Sequence, residues 1–228
     1  AQGRGLRRLG ALAHPIDDPL PLFHEKSFNW TDWDVKGFTG IELWNMMSEF
    51  KTRSRTLPKA ALHALFPSFM MLSPLEQTLK LWDELLLTRK NPMVAVAGVD
   101  AHAHTYPAGP FKVTVYPYET LFRSITTHII TPKPLSGEIN SDRRMVYEAL
   151  SAGHCFCAND LPHPTRGFRF TCNNNDGTFW MGDKVTAETG LTFQVRAPIR
   201  AHIRLLKDGQ VVHEVRDREV LTYLTKEP

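Results

Sequence analysis

The 228-residue chain is 42% hydrophobic and 22% charged, the proportions of a globular protein rather than a disordered one. Its formal charge of +3 is small and its basic residues are scattered, which excludes nucleic acid as the expected partner. No apolar run approaches the roughly 18 residues a membrane span needs, and the first residues hold no apolar leader.

The three cysteines, Cys155, Cys157 and Cys172, are odd in number and match no zinc-ribbon spacing. They are expected to be small buried apolar residues in a reducing compartment, which places the protein in the cytoplasm. Two basic clusters, Arg4, Arg7 and Arg8 and then Lys51, Arg53 and Arg55, are expected to be solvated surface.

Residues 9–15 form a short apolar run that stops at His14-Pro15, which predicts a buried strand with a histidine at its tip. Residues 17–36 read as a loop carrying Phe23, Phe28, Trp30 and Trp33. A second strand is predicted at 39–44, with Glu42 inside it and Asn45 just beyond. Helices are predicted at 59–66 and from Ser73-Pro74 to Arg89, with Ser73 as N-cap and Leu75, Leu79, Trp82, Leu85 and Leu86 at helical spacing. Residues 93–99 form a third strand that ends at Asp100-Ala101-His102. This strand–helix–strand alternation predicts a parallel sheet or barrel buried on both faces.

A strand is expected at 111–118, helices at 118–130 and 141–152, and a last short strand at 154–158, with Gly153 as C-cap. After Pro162-His163-Pro164 the pattern changes to short alternating runs at 167–172, 191–197, 202–206, 211–215 and 220–223. Asp208-Gly209 between two such runs signals a hairpin. The expected organisation is therefore an α/β domain over 1–163 and a small antiparallel, sandwich-like β domain over 164–228.

The candidate chemistry lies at the predicted strand ends. His14, Asp100 and His102 sit where parallel α/β folds build their sites. Asp100 and His102 are two apart, so an extended tip points both side chains the same way. A carboxylate with imidazoles suits zinc, manganese or iron. His104 continues the alternation. An isolated Asp-X-His is equally a solvated turn, and an isolated His-Pro a capping residue; their joint position at strand ends carries the metal reading.

Leu12-Ala13-His14-Pro15, Gly40-Ile41-Glu42-Leu43-Trp44-Asn45 and Ala97-Gly98-Val99-Asp100-Ala101-His102 together resemble the second half of the PHP (polymerase and histidinol phosphatase) family. The resemblance covers about residues 6 to 160. It implies part of a distorted (β/α)7 barrel and a phosphoesterase that uses divalent metals to act on a small phosphorylated substrate. His14 then matches the Ala-His-Pro ligand, and Asp100 and His102 the final ligand pair. Asp100 would be the central catalytic ligand. Glu42, Asn45 and His104 fall near the site, Glu42 more as a charge that stabilises the loops than as a ligand. Arg166 and Lys112 are candidates for meeting a phosphate, and the aromatic loop for covering the site.

Two departures stand out. Val99 replaces the family's usual serine, and the early His-X-His motif has no counterpart, His24 and His63 lying outside such a motif. The start at Ala1 and the stop directly after a strand point to a fragment, completed by a missing segment or another chain. Two other readings fit the same residues: an amidohydrolase-like metal hydrolase, and an inactive barrel that supports a binding β domain.

Overall fold

The computed structural model describes residues 9–89, 93–108, 110–187 and 190–226. Arg4, Arg7 and Arg8, residues 90–92 at the expected helix end, residues 188–189 and the last two residues lie outside the described residues. The chain mixes helices and strands and carries an antiparallel sheet toward its C-terminus. It divides into two compact units, one holding residues 9–128 and Phe156–His163, the other Ile129–Cys155 and 164–226.

The first unit is built on a parallel three-stranded sheet, β1 (Ala11–Leu12), β2 (Gly40–Asn45) and β3 (Val94–Gly98), in that order. Between β2 and β3 run α1 (Met46–Arg53), α2 (Leu57–Leu65) and α3 (Glu76–Thr88). Both faces of the sheet are covered, as parallel sheets require. Ile41 and Leu43 of β2 pack with Leu12, Leu85 and Met93, and Trp30 and Trp33 of the aromatic loop join that core. Trp44 and Met46 belong to a second core with Leu20, Phe50, Met70 and Leu121. Helix α3 begins at Glu76, not at the Ser73-Pro74 signal, because Leu75 is extended and acts as the N-cap without a side-chain bond. Leu86, expected on its buried face, is exposed.

Beyond β3 come a hairpin, β4 (Thr105–Ala108) and β5 (Phe111–Thr114), then a single helical turn, α4 (Tyr118–Phe122). The helix expected over 118–130 stops there. Its second half is β6 (Ile125–Ile129), paired with β7 (Cys155–Asn159). The reason is local: Ile125-Thr126-Thr127 and Ile129 are β-branched and favour extended backbone. Thr127 ties β6 to β3, its hydroxyl accepting from Ala97 N–H (2.8 Å) and donating to Ala97 C=O (2.9 Å). Among the described residues no sheet closes into a barrel.

The second unit contains α5 (Ile139–Ala152), which ends on Gly153 in the left-handed conformation, and one antiparallel sheet. Its strands are β8 (Arg169–Asn174), β9 (Gly177–Trp180), β10 (Leu191–Lys207) and β11 (Gln210–Thr225), in the order β11-β10-β8-β9. The antiparallel part of the expectation is present as a single sheet among the described residues. The runs 191–197 and 202–206 are one strand, bent by register shifts between Arg196 and Ile203 around Pro198, and 211–215 and 220–223 are likewise one strand. Alternating runs split by a bulge look like separate strands in the sequence. The Asp208-Gly209 turn forms as its chemistry predicts, both residues having positive φ (51° and 76°).

All three cysteines are thiols. Burial pushes the Cys155 thiol up to about 11 and raises that of Cys172. No helix among the described residues is long and apolar enough to cross a membrane.

Candidate functional site

The two outer strands of the parallel sheet end in strained backbone. His14 follows β1 with φ +30°, and Asp100 follows β3 with φ +49°. Residues other than glycine rarely adopt such values, which cost roughly 1–3 kcal/mol each and concentrate at functional sites.

Glu42, on the central strand, holds these ends together. Its Oε2 accepts the backbone N–H of His14 (2.7 Å) and Nδ2–H of Asn45 (3.0 Å). Asn45 in turn accepts the N–H of Ser48 (2.8 Å) and caps α1. A register shift between Glu42 and Trp44 gives β2 one residue more than β3 over this stretch. Glu42 and Asn45, three apart, can therefore meet, whereas a regular strand would send them to opposite faces. On the other side, a Cβ on Gly98 would lie 2.5 Å from Glu42 Oε1, so any side chain there would require the tip of that carboxylate to shift.

His14, Asp100, His102 and His104 line one cavity of about 400 Å³. Its other walls come from the aromatic loop (Phe23, Phe28) and from Asp17 and Lys51. The imidazole of His102 is turned toward its own strand end: Nδ1 lies 2.7 Å from Asp100 C=O and 3.4 Å from Asp100 Oδ1. The His102 ring stacks on His104 with centroids 5.3 Å apart.

Asp17 and Lys51 were not singled out as site residues from the sequence. Lys51 was expected at a solvated surface, but it is only 7% exposed and Asp17 only 5%. Lys51 Nζ donates to Asp17 Oδ2 (2.5 Å) and to Lys26 C=O (2.7 Å), and it sits 5.4 Å from the Phe28 ring centre. Asp17 also accepts from Ser48 Oγ (3.0 Å) and Phe28 N–H (3.1 Å). The sequence held one usable signal, the i, i+3 spacing that puts Ser48 and Lys51 on one helix face. The other members of that cluster pair too, Arg53 with Glu49 (3.1 Å) and Arg55 with Asp18 (2.5 Å).

Glu49 is a further buried acid, accepting from Trp44 Nε1–H (3.0 Å). Burial pushes its carboxyl up to about 7, against the pull of Trp44 and Arg53. With His14, Glu42, Asn45 and Ser48 it lines a second, narrow pocket. Arg166 and Lys112 are both exposed, the first in a turn of the second unit and the second on β5.

The donor chemistry around the larger cavity suits a divalent cation: imidazoles and carboxylates share its walls. His14 Nδ1 is the buried side-chain nitrogen left without a hydrogen-bond partner among the described residues, an orphan that a cation would satisfy. As they stand, no three such side chains among the described residues converge into a ready-made metal site. No protein family, curated protein or solved structure matches the chain.

Proposed function

We propose that this chain carries the second half of a PHP-type α/β barrel and, with it, part of the site of a divalent-metal-dependent phosphoesterase acting on small phosphorylated substrates. One observation carries the reading: His14 and Asp100, far apart in sequence and both in strained backbone at strand ends, line one cavity with His102 and His104.

His14 through its bare Nδ1, Asp100 through its carboxylate and His102 through its imidazole would hold the ion, with His104 beside them. Zinc, manganese or iron suits these donors. Such an ion supplies Lewis acidity, lowering the pKa of a coordinated water and neutralising charge on phosphoryl oxygens. Glu42 acts as a positioning residue, since both of its donors fix backbone or a cap rather than a ligand atom. Lys51, held by Asp17, puts a buried positive charge in the wall that a phosphate would approach. Phe23 and Phe28 line the same cavity.

The test uses the full chain. Bound metal is measured by mass spectrometry after incubation with manganese or zinc and desalting, and hydrolysis of p-nitrophenyl phosphate is followed with each metal. Metal should be retained and hydrolysis detected, and both should be lost in Asp100→Ala and His14→Ala. Failure to retain either metal, or full hydrolysis by Asp100→Ala, overturns the proposal.

A further inference from the structure

The second unit contains a cavity of its own, about 700 Å³ in volume, unrelated to the residues proposed to hold metal. Its size falls within the roughly 300–1,000 Å³ of small-molecule sites. Met145 and Ala149, four apart on α5 and both buried, supply an apolar surface. The indole of Trp180, 38% exposed, stands at the edge. Three ionisable groups complete the lining: His154, Arg169 and Glu148.

The lining is held in place rather than merely exposed. Asp183 accepts from Trp180 N–H (2.7 Å) through Oδ2 and from His154 Nε2 (2.9 Å) through Oδ1. One carboxylate thus locks the tryptophan's backbone to the histidine ring. Gly182, with φ +92°, presses against the end of α5: a Cβ there would collide with Ala152 C=O and come within 2.6 Å of the Gly153 carbonyl carbon. The turn that carries Trp180 is therefore seated on the helix terminus. Arg169 is exposed, and among the described residues its one side-chain hydrogen bond runs from Nη1 to Phe168 C=O (2.7 Å). The remaining guanidinium donors are available to a ligand.

We infer that this cavity binds a small aromatic carboxylate. A flat ring suits an indole edge and a methionine surface, where stacking and sulfur–aromatic contacts add to burial. A guanidinium beside that surface matches a carboxylate, which it can grip with two parallel hydrogen bonds. A sugar acid fits less well. Its hydroxyls would each need a partner once buried, and the lining hydroxyl of Thr131 already donates to Lys133 C=O (2.9 Å). Glu148 disfavours a second negative group on the ligand.

The experiment is a titration of the full ¹⁵N-labelled chain, followed by NMR, with sodium benzoate, benzyl alcohol and sodium glucuronate in turn. Benzoate should give saturable shifts of the Trp180 indole N–H and the His154 amide. Benzyl alcohol and glucuronate should bind on the order of tenfold more weakly or not at all. Arg169→Gln, an exposed change that leaves the sheet intact, should weaken benzoate on the order of tenfold. Trp180→Ala should abolish the His154 shift, and the undisturbed amide spectrum of the sheet serves as its folding control. His14→Ala and Asp100→Ala should leave benzoate binding unchanged, which separates this site from the proposed hydrolase site. No saturable shift at Trp180, equal binding by Arg169→Gln, or glucuronate or benzyl alcohol binding as tightly as benzoate would each overturn the inference.

Discussion

Removing the Asp17 carboxylate should destabilise the first unit more than any surface change can. The carboxylate accepts three bonds, from Lys51 Nζ (2.5 Å), Ser48 Oγ (3.0 Å) and Phe28 N–H (3.1 Å). In Asp17→Ala, Lys51 keeps Lys26 C=O as its partner among the described residues and remains a buried ammonium without a counter-charge. Breaking a buried pair in this way costs about 3–5 kcal/mol. Replacing both partners, as in Asp17→Leu with Lys51→Met, removes the orphaned charge and should recover most of that loss. Urea unfolding at neutral pH, read by tryptophan fluorescence, suits the question because Trp30, Trp33, Trp44 and Trp82 all lie in the first unit. A cost below about 1 kcal/mol for Asp17→Ala is what an exposed pair would give, and it would refute the buried-clamp reasoning. So would a double variant whose loss equals the sum of the two single ones.

Two other changes probe the strand-end network. Burial holds the Glu49 carboxyl at about 7 in the folded chain, above its ordinary value of 4.5, so the native state binds the proton more tightly. The stability this contributes is fully present below pH 4.5 and is lost as pH rises through 7, a difference on the order of 3 kcal/mol. Glu49→Gln should flatten that decline between pH 5 and 8 in urea midpoints; the same slope in the variant would assign it to other groups. Gly98→Ala places a methyl 2.5 Å from Glu42 Oε1 and must displace the carboxylate that holds His14. The expected loss is about 1–3 kcal/mol, and an unchanged unfolding midpoint would show that Glu42 has room to move.

What could be read from the sequence was local. Apolar runs stopping at His14 and Asp100 gave the strand ends, and Asp208-Gly209 gave its hairpin, because each signal lies within a few residues of its effect. The second half of 118–130 was misjudged where helical spacing competed with a β-branched run, and the branching at Ile125, Thr126 and Thr127 won. Strand β10 looked like two strands because its bulges around Pro198 interrupt the alternation without ending the ladder. The Asp17–Lys51 pair spans 34 residues of sequence, and the i, i+3 spacing of Ser48 and Lys51 on one helix face does not reveal a partner that far away.

The same distinction decides what Glu42 does. Its Oε2 is engaged twice, by the His14 backbone and by Asn45, while Oε1 lies beside Gly98, where a Cβ would meet it. Both donors fall on Oε2, and were that oxygen to turn away, the His14 N–H, part-buried at a left-handed residue, would be left unsatisfied at a cost of about 1–3 kcal/mol. Glu42 therefore serves the site through the backbone of its neighbour: it stabilises the strained turn that ends β1. Asp100 has no comparable clamp on its backbone among the described residues. Its left-handed turn is instead accompanied by its own carbonyl's bond to His102 Nδ1 (2.7 Å), which ties the His102 ring to the Asp100 backbone. The pair is thus set by a contact two residues long, whereas His14 depends on a carboxylate 28 residues away. Asp100 and His102 thus carry their local geometry within three residues, whereas the strand tip and the Ala-His-Pro motif mark His14 without revealing the carboxylate that holds it.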